Sequence, residues 1–283
     1  MLMQRIMRRF FSLPKVRSLA HALYMRSGAR SATIAHVARR PAMRVLVLGV
    51  YLSDRPHTAS HLIREFSSGQ GLEVEHRWAG LRGTTDDPEL ARATLFLVHQ
   101  PTPKFALINR LISGLQLDAY DYIIVVDDDI HVRPGFLVEF LAYQRQLGFA
   151  LAQPARTWHS HFDHGFVIRR PWLAARETRF VECGPMVSFD RDAARVLLPF
   201  DSESEMWGMD LVWPVLIQRA GLTMGIVDAV AVDHSLRGQA TTYDRTQELA
   251  AMGAFLARTE HVPKAEVFNV LKRYPATWRL PYF

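Results

Sequence analysis

Stretches typical of buried β-strands alternate with helical stretches through the first half of the chain, and this alternation constrains the fold most strongly. Parallel strands need long crossover connections, which helices supply, so the pattern predicts an α/β protein with a sheet flanked by helices. In such sheets, ligands bind outside the carboxyl ends of the strands. The predicted strands are 44–52, 72–78, 94–98 and 122–126, and the predicted helices are 58–68, 104–117 and 134–146.

The second half of the chain has a less regular pattern. Its short strand-like runs are separated by loops, which predicts a mixed, partly antiparallel extension of the sheet. The predicted strands are 149–153, 164–168, 181–189, 223–227 and 229–233, and the predicted helices are 191–198, 209–220 and two within 242–272. We interpret 1–43 as a leader, 44–240 as one α/β domain and 241–283 as a helical extension of that domain.

Charge is distributed unevenly along the chain. Residues 1–53 hold ten of the 34 Lys and Arg side chains and no acidic one. Residues 54–283 hold the other 24 basic side chains and all 28 acidic ones, a net charge of −4. Because this part would repel a phosphate backbone overall, nucleic acid is not an expected partner.

The basic leader contains two short amphipathic repeats on either side of Pro14. Their apolar side chains recur at helical spacing. These are Met3, Ile6, Met7 and Phe10, then Val16, Leu19, Ala20 and Leu23. The repeats are too short and too interrupted by arginine to span a bilayer or to form a signal peptide. We predict a helix on an anionic membrane surface; a helix packed on the domain, a disordered segment and a transit peptide remain alternatives.

The predicted location of the protein is the cytoplasm, with the leader peripheral on the membrane. Cys183 is the only cysteine, so no internal disulfide can form and a reducing compartment suits the chain. Phosphate-loop, dinucleotide-binding and nucleophile-elbow motifs are absent from the sequence, which disfavours common ATPase, dehydrogenase and hydrolase functions.

Three consecutive aspartates, Asp127, Asp128 and Asp129, follow the apolar strand 122–126 directly. At a strand end in a cleft, three carboxylates repel one another unless a cation neutralises them, and a hard divalent ion is the natural partner. Alternate residues of an extended chain point the same way, so Asp127 and Asp129 can share one ligand while Asp128 faces elsewhere. A solvated acidic loop is the alternative.

A strand, Asp-x-Asp and then a helix opened by Pro134 resemble the arrangement by which GT-A glycosyltransferases hold manganese or magnesium. The resemblance to a GT-A domain covers residues 44 to about 235. Three later segments resemble the family catalogued as domain of unknown function 707. They are Phe180-Val181-Glu182 leading to Pro185, Trp207-Gly208-Met209-Asp210, and Gly225-Ile226-Val227-Asp228 ending at Asp233-His234.

This resemblance implies a Rossmann-like mixed sheet and roles for several residues. Asp129 would bind the metal, Asp127 would bind it directly or through water or would bind the ribose, and His234 would complete the coordination. Carboxylates with an imidazole suit Mn²⁺, with Mg²⁺ as the alternative. Tyr51 lies where GT-A domains hold the nucleotide base, where its ring would stack, although it could also be a core residue.

The segment Trp207-Gly208-Met209-Asp210 and the acid Glu182 are the candidate catalytic positions. The indole of Trp207 could stack on a sugar while Gly208 leaves room for the ligand. In inverting GT-A enzymes a carboxylate placed like Asp210 is the general base, but Asp210 could also cap a helix. Glu182 has apolar neighbours that would raise its pKa, and a salt bridge to Arg176 or Arg179 is the alternative.

Several other polar residues are weaker candidates. Lys104, with Arg169 and Arg170, could meet a diphosphate or an acidic acceptor, and Asp128 could contact the nucleotide. His159, His161 and His164, with Asp163, resemble a second metal cluster but lack the spacing of zinc motifs, so a flexible acceptor loop is favoured.

Together these features predict a metal-dependent glycosyltransferase. The expected donor is a nucleoside diphosphate sugar, and the expected acceptor is a glycan or a lipid-linked glycan at a membrane. Two alternatives from other classes remain: a nucleotidyltransferase-like enzyme, and a non-catalytic relative that binds a glycan or a protein.

Overall fold

A computed structural model describes residues 13–27, 41–201, 207–238 and 245–277. The first amphipathic repeat of the leader, 1–12, and the start of the predicted tail helices, 242–244, lie outside these ranges.

Within these ranges, nine strands form one sheet in the order β3-β2-β1-β4-β7-β5-β8-β6-β9. The strands are β1 (Met43–Leu52), β2 (Leu72–Leu81), β3 (Thr94–Val98), β4 (Tyr122–Asp127), β5 (Leu151–Arg156), β6 (Leu173–Thr178), β7 (Met186–Asp190), β8 (Met224–Val232) and β9 (Val270–Pro275). β1 to β4 are mutually parallel where they pair, whereas β7 is antiparallel to both β4 and β5. The predicted α/β fold with a mixed sheet is confirmed.

Helices cover both faces of this sheet. They are α1 (Pro14–Arg26), α2 (Ala59–Ser67), α3 (Pro88–Ala93), α4 (Lys104–Ile112), α5 (Phe136–Leu147), α6 (Arg191–Leu197), α7 (Met209–Arg219) and α8 (Arg245–Arg258). Within the described residues, no helix is long and apolar enough to cross a bilayer.

The central strands are apolar on both faces because each face has its own core. Alternate residues of a strand point to opposite faces. Val45 and Val47 of β1 join the core under α2 and α5, whereas Leu46 and Leu48 join the core under α4, α6 and α7. In the second core the Phe105 ring stacks on Phe200, with centroids 3.9 Å apart. This double coverage explains why β1 and β4 are continuous apolar runs in the sequence.

The second half departs from the sequence prediction at five places. The first is the predicted strand 181–189, of which residues 181–185 form a loop ahead of β7. The predicted strand 164–168 is a single 3-10 turn, Gly165–Val167, and the predicted strands 223–227 and 229–233 are one strand, β8. β6 was not predicted, because its sequence, Leu-Ala-Ala-Arg-Glu-Thr, carries a helix-like composition with a charged centre. The prediction of a second tail helix is wrong, because that segment ends in β9, which pairs with β6 at the edge of the sheet.

α1 packs on the domain through its polar side chains. The Tyr24 hydroxyl donates to the Ala231 carbonyl at 2.7 Å, and His21 Nδ1 lies 2.5 Å from Asp233 Oδ2. Leu19 and Leu23, which belong to the predicted membrane-facing side of this segment, are each 62% exposed. Among the alternatives for the leader, this geometry favours a helix that packs on the domain, with its leucines outward.

Candidate active site at the carboxyl edge of the sheet

Polar residues converge at one edge of the sheet because several strands end there. β1, β4, β5 and β8 run in the same direction, since β7 lies antiparallel between β4 and β5 and β8 is parallel to β5. Their carboxyl ends deliver Asp127 at the end of β4, Asp128 and Asp129 directly after it, Arg156 at the end of β5 and His234 after β8. The antiparallel β7 begins at this same edge, which brings Glu182 and Gly184 beside them. This edge is where ligands bind in open α/β sheets.

Asp127 forms an ion pair with Lys104 at the start of α4. Its backbone N–H donates to the Pro185 carbonyl at 2.7 Å. A Cβ added at Gly184 would lie 2.7 Å from Asp127 Oδ2, so this position must be glycine for the carboxylate to keep its place. Asp127 therefore has a cation, Lys104, as its neighbour.

Asp128 points away from Asp127 and towards the end of β1. Its Oδ2 accepts a hydrogen bond from the Leu52 N–H at 2.8 Å, and Arg237 forms an ion pair with it. Its backbone carbonyl accepts from both the N–H and the hydroxyl of Thr58. Burial raises the pKa of Asp128 to about 6, against the opposing effect of Arg237. These bonds make Asp128 the link between β4 and the loop that follows β1.

Asp129 lies between an imidazole and a guanidinium. His234 Nε2 is 3.1 Å from Asp129 Oδ1, and Arg237 Nε donates to Asp129 Oδ2 at 3.2 Å. Although burial acts to raise it, these two neighbours hold the pKa of Asp129 down at about 2. The carboxylate is thus ionised at neutral pH.

The pair Asp129 and His234 fits a divalent ion. His234 Nδ1 is buried and has no hydrogen-bond partner among the described residues, and such an atom often marks an ion or a water. One carboxylate and one imidazole are ligands that Mn²⁺ accepts. Among the described residues, Asp127 does not gather with this pair into one three-ligand group. The contact of Asp127 with this ion, directly or through water, or with a ribose, therefore stays a prediction.

Glu182 lies in a buried network beside the aspartates. Arg156 forms an ion pair with it, and His164 Nδ1 lies 3.1 Å from Glu182 Oε1. The partners suggested by the sequence, Arg176 and Arg179, pair elsewhere, with Asp228 and Glu266. The hydrogen bond to Glu182 raises the pKa of His164.

Asp210 opens the first turn of α7 and faces this network. Desolvation, followed by the charge of Glu182, raises the pKa of Asp210 to about 6. The helix begins at Met209 after Gly208, so Asp210 lies in the first turn and is not the capping residue. A partly exposed carboxyl with a pKa near neutrality is suited to accept a proton.

Asp210 and Lys104, the partner of Asp127, both influence Cys183. Burial raises the pKa of the Cys183 thiol, the charge of Asp210 adds to that rise and the charge of Lys104 opposes it. Arg156 spans the site, because it donates to the carbonyls of Gly184 and His161 at 2.9 Å. The His161 N–H in turn donates to the His234 carbonyl at 2.8 Å.

Comparison with known proteins supports an assignment of the fold. No protein-family model and no curated protein sequence matches the chain. Among solved structures, the mannosyltransferase PcManGT from Pyrobaculum calidifontis, in complex with GDP-Man and Mn²⁺, is similar with a TM-score of 0.52 and 14% identity, over 82% of this chain and 73% of that one. GalNAc-T7 with UDP, GalNAc and Mn²⁺ is similar with a TM-score of 0.52 and 8% identity, over 76% of this chain and 48% of that one.

The chain has a GT-A fold. At sequence identities of 14% and 8%, the similarity supports an assignment of the fold alone. The chain spans about half of the GalNAc-T7 structure. The finer resemblance to the domain of unknown function 707 stays a prediction.

Two predicted ligand contacts do not match the geometry of this GT-A fold. Tyr51 is fully buried in the core, and its hydroxyl lies 3.2 Å from Thr94 Oγ1, so its ring is not available to stack on a base. Gly208 has a φ of +92°, and a Cβ there would lie 3.0 Å from Met252 Cγ. Both the backbone conformation and the packing of α8 require the glycine, so it does not serve to leave room for a ligand.

Trp207 lines a pocket with residues of α8, among them Met252 and Phe255. Its stacking on a sugar therefore stays a prediction.

The remaining cations and histidines have separate partners. Arg169 Nε donates to the Asp228 carbonyl at 3.0 Å, and the Arg170 guanidinium lies over the Phe166 ring, 5.7 Å from its centroid. His159 is buried against Asp233, whereas His164 pairs with Glu182. The histidines thus do not form one cluster, and burial of His159 contradicts a flexible loop at that position.

Sequence reasoning missed Arg237 and Arg156. Arg237 follows His234 by three residues in a segment that we interpreted only as the end of the domain. Arg156 lies at the end of β5, whose bounds were predicted to stop at residue 153, before the arginine.

Proposed function

We propose that the chain is a metal-dependent glycosyltransferase that takes a sugar from a nucleoside diphosphate sugar. The observation that carries this proposal is the pairing of Asp129 with His234 at 3.1 Å, at the carboxyl edge of a GT-A sheet. The proposal is further supported by Asp210, which has a pKa of about 6 in the same site.

Asp129 and His234 would hold the metal, with Mn²⁺ favoured over Mg²⁺ because one ligand is an imidazole. When bound, such a cation stabilises the negative charge that develops on a departing diphosphate. Asp128 would support this site indirectly, since its bonds to Leu52 and Arg237 fix the backbone between the two strands.

Lys104 and Arg237 are the cations beside the aspartates. Each already contacts a carboxylate, Asp127 for Lys104 and both Asp128 and Asp129 for Arg237. A diphosphate offers the same kind of oxygen acceptors, so either side chain could exchange a carboxylate for a phosphate with little movement. Asp127 would then be released towards the ribose.

Asp210 would accept the proton of the acceptor hydroxyl if the reaction inverts the anomeric centre. General-base catalysis of this kind typically contributes about 10²–10⁴-fold in rate. Glu182 would act on Asp210 through its charge and, with Arg156 and His164, hold the network in place. If the reaction retains configuration, Asp210 or Glu182 would position the acceptor.

We also propose that the acceptor lies at a membrane surface, as a glycan or a lipid-linked glycan. This rests on α1, which exposes Leu19 and Leu23 while its polar side contacts the domain. An apolar face beside basic residues such as Lys15 and Arg26 is suited to an anionic bilayer.

The test is calorimetry with a panel of nucleoside diphosphate sugars, including GDP-mannose and UDP-linked sugars, with and without Mn²⁺. We expect one donor to bind tightly only in the presence of Mn²⁺, and we expect Asp129→Asn and His234→Ala to abolish that dependence. Asp118→Asn is a matched control, because Asp118 is an exposed aspartate that pairs with Arg195 outside the site. Metal-independent binding, or none by a folded chain, would contradict the proposal and favour a non-catalytic binding protein.

A further inference from the structure

Beside the Asp129 site, a second group of histidines surrounds Asp233. His21 comes from α1, His131 follows the aspartates, and His159 follows β5. Potential ligand atoms of His21, His131 and Asp233 all lie within 4.8 Å of one another. His159 Nε2 lies 3.0 Å from Asp233 Oδ2. Parts of the chain that are more than 200 residues apart thus meet at one carboxylate.

Backbone hydrogen bonds fix this arrangement. The His131 N–H donates to the Asp233 carbonyl at 2.8 Å, and the Asp233 N–H donates to the His131 carbonyl at 3.0 Å. These two residues therefore stand side by side across an antiparallel bridge. Tyr24 lies one turn after His21 and is bonded to the Ala231 carbonyl, which holds His21 over Asp233.

The group contains buried atoms that have no partner. Asp233 is fully buried, yet its Oδ1 has no hydrogen-bond partner in the part of the chain that the structure describes, and neither has Nδ1 of His131. A buried polar atom without a partner costs free energy, and a bound ion can remove that cost. These atoms belong to the same three-residue group, so one ligand could satisfy both.

We propose that His21, His131 and Asp233 bind a Zn²⁺ ion. Two imidazoles and one carboxylate are typical zinc ligands and leave a fourth position open. Ligand atoms at about 2.0–2.1 Å from a tetrahedral zinc lie ~3.4 Å from one another. The ligand atoms of His21, His131 and Asp233 lie within 4.8 Å of one another, so small side-chain movements would bring them to that separation. His159 would remain on Asp233 Oδ2 and orient the carboxylate, as outer hydrogen-bond partners commonly do at metal sites.

This zinc would attach α1 to the domain. Only His21 comes from α1, and it reaches a carboxylate from the opposite end of the chain. The site differs in chemistry from the pair Asp129 and His234, because it is richer in imidazole. The zinc proposal does not depend on the proposed glycosyltransferase activity.

The test uses the full chain carrying Asp129→Asn, which removes the neighbouring candidate site. After treatment with a chelator and dialysis, Zn²⁺ is titrated calorimetrically, and Co²⁺ is added separately so that its visible absorption reports four-coordinate ligation. We expect one equivalent of Zn²⁺ to bind, and we expect His21→Ala and His131→Ala each to weaken binding by at least about 100-fold. His61→Ala is the matched control, since His61 lies next to His131 but is hydrogen-bonded to Val132.

Two results would overturn the proposal. One is that the folded Asp129→Asn chain binds Zn²⁺ no more tightly than the same chain carrying His131→Ala. The other is equal loss of binding in the His61→Ala control. His21 is one-third exposed on a surface helix, so His21→Ala gives a readout even where His131→Ala fails to fold.

Hydrogen exchange gives an independent readout of the attachment. Zn²⁺ should slow amide exchange in 14–26 at least several-fold in the Asp129→Asn chain and should leave it unchanged when His21→Ala is added. Exchange in α1 that does not respond to Zn²⁺ would contradict the attachment of α1 by the metal.

Discussion

Arg237 Nε lies 3.2 Å from Asp129 Oδ2, and the same guanidinium pairs with Asp128, so one cation covers two of the three aspartates. A divalent ion at Asp129 must share this carboxylate with Arg237. We therefore expect Arg237→Gln to raise the affinity for Mn²⁺ about tenfold without donor, because a competing charge is removed. Calorimetric titration with Mn²⁺ measures this change.

The same substitution should weaken binding of the donor, because a cation available to the diphosphate is lost. Arg219→Gln is the control, since Arg219 pairs with Glu260 on the exposed surface. Unchanged Mn²⁺ affinity in a folded Arg237→Gln chain would mean that the arginine and the ion do not share Asp129.

Asp210→Asn should lower activity and raise stability. We expect turnover to fall about 10²–10⁴-fold, because the amide cannot accept a proton. Burial of the carboxylate raises the pKa of Asp210 to about 6, so its charge is unfavourable in the folded state at neutral pH. Removing that charge should raise the free energy of unfolding by about 1 kcal/mol or more. Steady-state kinetics and urea unfolding measure the two effects.

The pH dependence follows from the same carboxyl. The activity of the wild type should rise with pH through about 6, as Asp210 ionises. Its folded pKa exceeds the ordinary value of 3.8, so between these values the folded state holds more protons than the unfolded state. Stability should therefore fall as pH rises across this window, and Asp210→Asn should flatten that slope. A variant with the wild-type slope would contradict this assignment.

Arg176 and Asp228 form a fully buried, two-pronged ion pair between β6 and β8. Arg176 Nε donates to Asp228 Oδ2 at 2.8 Å, and Nη2 donates to Oδ1 at 3.1 Å. Replacing one partner leaves the other charge buried alone, so Arg176→Met should cost about 3–5 kcal/mol of unfolding free energy. Arg195→Met, at an exposed pair, should change it by less than about 1 kcal/mol. Chemical denaturation measures both, and equal effects would contradict the argument.

Gly49 lies where β1 contacts the ring of Trp78. A Cβ added at Gly49 would lie 2.2 Å from that ring, so Gly49→Ala should lower the unfolding free energy by about 1–3 kcal/mol. Gly253 in α8 has no atom within 4 Å of the corresponding position, so Gly253→Ala should stabilise the chain by up to about 1 kcal/mol. Opposite shifts in the thermal midpoint are expected, and a tolerated Gly49→Ala would mean that the ring moves aside.

The sequence predicted the parallel half of the fold well because burial on both faces leaves a strong local signal. The strand 94–98 was predicted with the bounds that β3 has, and β1 and β4 were predicted to within one residue at each end. β6 and β9 were missed because their stability comes from pairing with each other and with β8, which no local pattern reports.

The candidate site also contains residues that the sequence could predict and residues that it could not. Asp127, Asp128 and Asp129 follow a buried strand, so their position at the edge of the sheet could be predicted from the sequence. The partnership of Asp129 with Arg237 spans 108 positions and depends on the register of β8 beside β5. The prediction for Tyr51 was wrong because its side chain faces the core, where its hydroxyl contacts Thr94.

Leu19 and Leu23 of α1 provide the test of the proposed membrane contact. Each is 62% exposed, and the polar side of the helix faces the domain. Burying a leucine in an apolar medium is worth about 1.5–3 kcal/mol, so replacing both by asparagine should weaken binding to anionic phosphatidylglycerol vesicles at least tenfold. Co-sedimentation of the full chain measures this. Val196→Asn, at an exposed apolar residue of α6, should leave binding unchanged, and vesicle binding that survives the double substitution would assign the contact to another surface.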